Sequence, residues 1–267
     1  MQNLHTHTVL SDAKNTPSEM AAAAVELGFS SLGFSDHAPM QVQNTWGMQE
    51  EKVPDYLAEI RRIKQAFAGK LEIFAGMELD STSPGLPYPF DYTIGSMHYF
   101  YTEGKYYEVD HREEFMEALR LGFHGDIHAL QANYFERVCD FALENPYPIQ
   151  GHFDLVTIWC DHNPVFDTED PVYQRLALEA LHAVVEAGKI IEVNTGAMSR
   201  GYKVSPYPQR FLLEECCRMH APILLSSDCH QTTTIGYAFS TVRELLVEIG
   251  FKTQCVLTSH GWDEEAL

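Results

Sequence analysis

Basic residues are scarce in this chain. Against 38 Asp and Glu it has only 18 Lys and Arg, a formal net charge of −20 over 267 residues. Nucleic-acid grooves and anionic membrane surfaces are bound by clustered Lys and Arg, so this balance disfavours both as partners. No apolar run approaches the roughly 18 residues that would suggest a membrane-spanning helix. The N-terminus lacks the basic-then-apolar pattern of a leader peptide, and the cytoplasm is the expected compartment. No CxxC pair occurs among Cys139, Cys160, Cys216, Cys217, Cys229 and Cys255. That spacing suggests neither a zinc ribbon nor a secreted disulfide framework, and buried free thiols are expected. Pro/Gly/Ser linkers, low-complexity stretches and internal repeats are also missing, which favours one domain over residues 1–267. Composition does not decide oligomeric state, and a homo-oligomer stays open.

Histidine, by contrast, is plentiful, with 13 residues. Two of them open the chain in LHTHTVLSD (residues 4–12). If residues 4–8 are extended, His5 and His7 point to the same side and could share a metal ion. Taken alone, they could equally be surface histidines.

Strand-like and helix-like segments alternate along the rest. Residues 16–27 carry unusually complete helix signals: Thr16 as N-cap, Pro17 in the first turn, Glu19 completing a capping box, and Gly28 after the end. Helical periodicity recurs over 54–67, 127–144, 171–187, 207–219 and 241–249. Short apolar runs at 31–35, 71–75, 91–96, 148–151, 190–195 and 222–227 read as strands. Residues 81–89 and 99–111 read as loops. Such alternation implies right-handed βαβ crossovers and a parallel sheet. With about seven units, an α/β fold closed into a distorted (β/α)7 TIM-like barrel is favoured over an open doubly wound sheet.

Nearly every strand is followed at once by a histidine or a carboxylate. Asp36 and His37 follow the second, Glu78 the third, His98 the fourth, His152 and Asp154 the fifth, and Asp228 and His230 the last. In a parallel α/β barrel these positions converge on one mouth, where catalytic groups gather. Hydrogen-bonded core histidines are the alternative. Against it, buried imidazoles and carboxylates meeting at one place carry a heavy desolvation cost unless a cation organises them. His, Asp and Glu donors without cysteine suit zinc, manganese or iron, and more than four of them exceed one tetrahedral ion.

The ordered set His5-Thr-His7, Ser35-Asp-His37-Ala-Pro39, Gly76-Met-Glu78, Gly95-Ser-Met-His98, Gly151-His152-Phe-Asp154, Asn194-Thr-Gly196 with Ser199-Arg200-Gly201, and Ser227-Asp228-Cys-His230 resembles the PHP superfamily. The resemblance is nearest to the PHP-type histidinol-phosphate phosphatases and runs from residue 2 to about residue 237. It implies a distorted (β/α)7 barrel with three divalent metal ions (zinc, iron or manganese). One ion would be held by His5, His7, Glu78 and Asp228. Glu78 would bridge to a second, completed by His98 and His152, and Asp12, His37 and His230 would hold the third. The implied reaction hydrolyses a small phosphorylated substrate, L-histidinol phosphate, by attack of a metal-bridging hydroxide, with Glu78, Asp228 and Arg200 as catalytic residues. Arg200, in NTGAMSRG, would bind phosphate oxygens, since a guanidinium matches them bidentately. Tyr134 and Asp126, in GDIHALQANYFERV, would line the approach to the pocket. Asp154 would contact substrate or orient His152, and both Asp36 and Asp154 are candidates for the leaving-group acid.

One stretch departs from the family pattern. Related histidinol phosphatases tend to carry a basic residue a few positions after GHFDL, whereas this chain continues Val156-Thr-Ile-Trp159. Lys203 is the cation that could substitute. Two alternatives therefore stand beside the histidinol reading: the same chemistry on another small phosphate ester, and a non-catalytic metal-binding PHP module. His111, His124, His128, His162, His182, His220 and His260 have no motif support and read as helix or loop residues.

Overall fold

The computed structural model describes residues 1–267. In chain order the elements are β1 (Gln2–Asn3), α1 (Pro17–Glu26), β2 (Ser31–Phe34), α2 (Val53–Ala66), β3 (Glu72–Ala75), β4 (Glu78–Asp80), β5 (Ile94–Ser96), β6 (Tyr99–Thr102) and β7 (Lys105–Glu108). There follow α3 (Arg112–Glu117), α4 (Ile127–Glu144), β8 (Ile149–Gln150), α5 (Pro171–Glu186), β9 (Ile190–Asn194), α6 (Gly196–Ser199), α7 (Arg210–Met219), β10 (Ile223–Ser226), α8 (Phe239–Ile249), β11 (Thr253–Thr258) and β12 (Gly261–Ala266).

The helices start and stop for the local reasons visible in the sequence. At α1 the Thr16 side chain accepts from the Glu19 amide, the Glu19 carboxylate accepts from the Thr16 amide, and Gly28 sits at φ +76° beyond the end. Asp126 caps α4, accepting from the amides of His128 and Ala129. It thus has a structural task in place of the expected one beside the pocket.

Strands β1, β2 and β3 form one parallel sheet, and β10, β9, β8, β5 and β4 form another. A parallel α/β fold is therefore present, although the ladder is not one uninterrupted ring. The two sheets meet at two seams. At one, Thr6 bridges Cys229, with the His7 amide donating to the Cys229 carbonyl at 3.0 Å. At the other, His37 bridges Glu78, with the Ala38 amide donating to the Glu78 carbonyl at 2.8 Å.

Successive strand residues face opposite ways. Ile73, Ile191 and Leu225 belong to the large apolar core shared with the helices, while their neighbours Phe74, Ile190 and Leu224 join a second, inner cluster. That cluster also takes in Leu4, Tyr92, Ile94, Ile149 and, from β11, Leu257. Tyr92 reaches across it to donate to the Leu4 carbonyl. A Cβ on Gly33 or Gly76 would lie 2.2 Å or 2.3 Å from the Tyr92 side chain, so glycine there makes room for the ring. The N-terminus is no fraying end. Gln2 pairs with Ser31 in β1–β2, and its side chain both donates to and accepts from Leu257, at 2.8 Å each.

Two hairpins were not expected. Residues 99–111, read as loop, hold β6 and β7, paired from Tyr99–Glu108 to Thr102–Lys105. Their two-residue turn is Glu103-Gly104, both at positive φ (51° and 79°), the turn geometry whose twist suits a tight hairpin. The β11–β12 hairpin covers the inner cluster at the end remote from the histidines. All six cysteines are free, but only Cys216 and Cys229 are fully buried.

Candidate metal centre

The nine expected metal ligands, scattered over more than two hundred positions, converge on one place. Glu78 lies at its heart. Its Oε1 is 3.4 Å from His5 Nε2, 3.6 Å from His98 Nε2 and 3.1 Å from His152 Nε2, and its Oε2 is 3.5 Å from His7 Nε2 and 2.7 Å from His37 Nδ1. Asp228 closes one flank, its Oδ1 lying 3.6 Å from His5 Nε2 and 3.2 Å from His7 Nε2. Asp12 closes the other, 3.8 Å from His37 Nε2 and 3.3 Å from His230 Nε2. Three overlapping groups offer ligand atoms within 4.8 Å of one another: His7, Asp12, His37 and His230; His5, His7 and Asp228; and His37, Glu78 and His98. His152 stands outside these groups and joins through Glu78 alone. All but Asp12 and His230 are buried.

Local backbone explains the convergence. His5 and His7 flank the Thr6 bridge, so both rings fall on one side, their centroids 5.1 Å apart. Asp228 adopts φ +45°, an unusual conformation for a non-glycine residue and a frequent mark of functional sites. A Cβ at Gly196 would lie 2.8 Å from Asp228 Oδ2, so only glycine lets that carboxylate sit where it does.

The cluster is electrostatically unresolved without a cation. His5 Nε2, both ring nitrogens of His7 and His152 Nδ1 are buried without a hydrogen-bond partner. Unpaired polar atoms of that kind each cost of the order of 1–3 kcal/mol. Burial opposes charge on His5, yet the Glu192, Glu78 and Asp228 carboxylates outweigh it and raise its pKa well above the ordinary value. Burial, helped by neighbouring His37 and His230, instead pushes His7 down to about 3. Burial also works against ionised Glu78, but the surrounding His5, His37 and His98 hold it well below the usual carboxylate range. Adjacent groups with opposite demands are what bound cations reconcile, and the donor set of imidazoles and carboxylates fits zinc, manganese or iron.

A cavity of about 290 Å³ opens over the cluster, lined by Asp12, His37, His98, His152, Asp228 and His230 together with Trp46, Glu108, Asp110, His111, Leu155, Ile158, Arg200 and Tyr202. Arg200 is its sole Lys or Arg. It donates to Asp228 Oδ2 at 3.0 Å and to the Asp228 carbonyl at 3.2 Å, its side chain 34% exposed.

The PHP domain matches residues 3–196 of this chain. The chain belongs to the PHP domain family. The protein named "Probable histidinol-phosphatase" of Deinococcus radiodurans is 32% identical over 261 residues, spanning 93% of this chain and 94% of its own. The histidinol-phosphatase of Bacillus subtilis is 25% identical over 268 residues, spanning 91% and 97%. Among solved structures, the histidinol phosphate phosphatase of Lactococcus lactis, complexed with zinc, L-histidinol and phosphate, shares the fold with a TM-score of 0.72 at 19% identity over 98% of each chain. The PHP match ends at Gly196, so Arg200, Asp228 and His230 reach the centre from beyond it.

Other residues of this PHP centre sit elsewhere than expected. Tyr134 is fully buried and donates to the Phe153 carbonyl at 3.1 Å, behind the cavity and not on its wall. Asp154 is fully buried too. It accepts from the Gln209 amide at 3.1 Å, and no hydrogen bond joins it to the His152 ring. Burial pushes its pKa up to about 6. Asp36 accepts from the Thr8 amide at 2.8 Å and the Ser11 hydroxyl at 2.7 Å, so it braces the loop carrying Asp12. His111, given no role, lines the cavity.

The reading of the sequence missed Glu192. Its carboxylate lies 2.5 Å from His5 Nδ1 and accepts from the His152 amide at 2.7 Å and from Asn194 Nδ2 at 2.9 Å, orienting the His5 ring and anchoring the backbone of His152. The signal was there, a lone glutamate inside the apolar strand IIEVN. Asp80 does the same for His98, lying 3.3 Å from its Nδ1 and accepting its amide at 3.0 Å.

Proposed function

We propose that this PHP protein is a metal-dependent phosphomonoesterase that hydrolyses L-histidinol phosphate to L-histidinol and phosphate. One observation carries the reading: nine imidazoles and carboxylates, seven of them buried, meet in one cluster with unpaired donor atoms, beneath a cavity whose sole Lys or Arg is an arginine. Two full-length relatives that carry the histidinol-phosphatase name support the substrate. In this reading His5, His7, Glu78 and Asp228 hold one divalent ion, Glu78, His98 and His152 a second, and Asp12, His37 and His230 a third. Zinc has the support of the Lactococcus lactis neighbour. Bound divalent ions supply the Lewis acidity that makes water a nucleophile at neutral pH and that offsets charge on phosphoryl oxygens.

The chain's own residues do the rest. Arg200 turns its guanidinium to the non-bridging oxygens, giving a net-acidic protein a local welcome for an anion. Glu192 and Asp80 hold the tautomers and tilts of His5 and His98. Trp46, with its ring 4.5 Å from His37 and 5.3 Å from His98, closes one wall and keeps bulk water from the centre. The cavity lies near the lower end of the about 300–1,000 Å³ usual for small-molecule sites, which suits a small ester better than a polymer.

The two sheets, in this reading, are one distorted (β/α)7 barrel in which β3 and β4 are the two halves of a bent strand. In support, both seams carry backbone hydrogen bonds, and residues flanking or within β1, β3, β5, β8, β9 and β10 share one inner cluster. The mouth of that barrel is the metal centre.

The experiment is phosphate release by purified protein loaded with zinc, manganese or iron, alongside elemental analysis. L-Histidinol phosphate should be cleaved far faster than generic monoesters or nucleotides, with up to three metal equivalents bound per chain. Equal and sluggish rates on every ester would overturn the substrate while sparing the phosphatase. No turnover of any ester by the metal-loaded protein would overturn both.

A further inference from the structure

Lys203, the cation that could have replaced the missing basic residue after GHFDL, does not line the cavity. Its side chain is 0% exposed, and its ammonium donates to Asp161 Oδ1 at 3.0 Å and Thr157 Oγ1 at 3.2 Å. The other Asp161 oxygen accepts from the Val204 amide at 2.7 Å. One carboxylate thus holds both the side chain of Lys203 and the backbone that follows it.

Three residues before Lys203, Arg200 reaches into the cavity. The intervening turn is tight, with the Tyr202 and Lys203 amides both donating to the Ala197 carbonyl, at 2.9 Å and 3.3 Å. Asp161 lies on the loop whose Leu155 and Ile158 line the same cavity. Trp159 of that loop packs edge-on against Tyr202 with ring centroids 5.2 Å apart. Its indole donates at 3.0 Å to the carbonyl of Val109, the residue before cavity-lining Asp110. Three walls of the cavity are therefore tied together, and the one charge pair among the ties is Lys203–Asp161, its ammonium buried and its carboxylate 13% exposed.

We infer that the Lys203–Asp161 pair is a positioning lock for Arg200. Lys203 never touches substrate; it fixes the turn that carries the guanidinium, and so sets how Arg200 divides itself between Asp228 and an incoming phosphate. An ion pair with a buried member is weak as a source of stability, but removing Asp161 leaves the buried ammonium unpaired, and removing either partner frees what the pair was holding. Displacements of about 1 Å at a substrate-positioning group cost up to about 10²-fold in rate. The inference rests on Arg200 binding phosphate, as proposed above.

The test uses the full-length, metal-loaded enzyme and inorganic phosphate as competitive probe. Lys203→Met should raise KM for the ester and the phosphate inhibition constant about 10-fold each, with kcat changed less and metal content unchanged. Asp161→Asn should do the same and serves if the methionine variant fails to fold. Lys203→Arg, which keeps the charge, should recover most of the affinity. In an Arg200→Ala background, Lys203→Met and Asp161→Asn should weaken phosphate no further. Equal losses in both backgrounds, or no loss in either, would overturn the lock while leaving Arg200 its role. If Arg200→Ala itself left phosphate inhibition unchanged, the phosphate role and the lock would fall together.

Discussion

The interior of the strands has two halves that differ in how they are held together. At one end, Leu4, Phe74, Tyr92, Ile94, Ile149, Ile190, Leu224 and Leu257 fill the space with apolar side chains and a single hydroxyl that has a carbonyl partner. At the other, a few residues further along the same strands, His5, Glu78, His98, His152 and Asp228 crowd together, and ring nitrogens of His5 and His152 are buried with no partner. The step from Leu4 to His5, or from Leu224 to Asp228, crosses from a floor that packing completes to a mouth that packing leaves incomplete. Burying the floor is favourable by about 25 cal/mol per Å² of apolar surface. Burying the mouth is unfavourable until cations satisfy it. Stability and chemistry are thus divided along the length of each strand.

The sharpest way to test that division is Glu78→Gln. Phosphatase activity should fall by at least about 10²–10³-fold and metal equivalents should drop, while the protein stays folded by circular dichroism. Unfolding of this variant would mean that the mouth is not separable from the floor. The reciprocal change, Leu224→Ala, should cost about 2–5 kcal/mol in urea melts and leave activity per folded molecule near that of the parent. Removing the metals with a chelator should lower stability by about 2.7 kcal/mol if free metal had been at a hundred times its Kd, and by clearly less in Glu78→Gln, which keeps only the ion held by Asp12, His37 and His230. An equal shift in both proteins would remove the link between the cluster and the cation.

Smaller effects sharpen the picture. Glu192→Gln should weaken metal binding about 10–100-fold, read by competition with a chelating dye, because the His5 ring loses the carboxylate that orients it. A site far from both halves supplies the control. Hydrogen bonds from Arg218, foremost, and from His182 hold the Glu215 carboxylate down to about 2 against the opposing effect of burial. A depressed carboxylate adds stability above its unfolded value near 4.5, and that stability is lost as pH falls from there toward 2. With Arg218 68% exposed, solvent screening limits the gain to about 1 kcal/mol. Glu215→Gln should flatten the acid limb of the stability curve by that amount and leave activity at neutral pH alone.

Much of this organisation was legible from residue order. The capping box at Thr16 and Glu19, α4 from residue 127 to 144, and the polar residue after almost every strand depend on local rules, and each appears where those rules place it. The misreadings share a cause. The segment 99–111 was taken as loop because it lacks a continuous apolar run, although its aromatic residues and Glu103-Gly104 turn carried a hairpin signal. Tyr134 was placed by the family resemblance of its stretch and Asp154 by its nearness in sequence to His152, yet helix α4 turns Tyr134 into the core and the Asp154 carboxylate turns to the Gln209 amide. Glu192 escaped because an acidic residue inside an apolar strand has meaning only once its neighbours across the sheet are known.

By itself, then, the sequence determined the α/β alternation, the helix ends and an inventory of chemical groups at strand termini. These follow from backbone preference and side-chain period, which act over a few residues. Tertiary structure alone decided which of those groups meet. His5 and Asp228 are adjacent because Thr6 pairs with Cys229, and Lys203 is drawn away from the cavity by an aspartate 42 positions earlier. Contacts of that range are set by strand register and by the burial of charge, neither of which leaves a trace in any short stretch of chain.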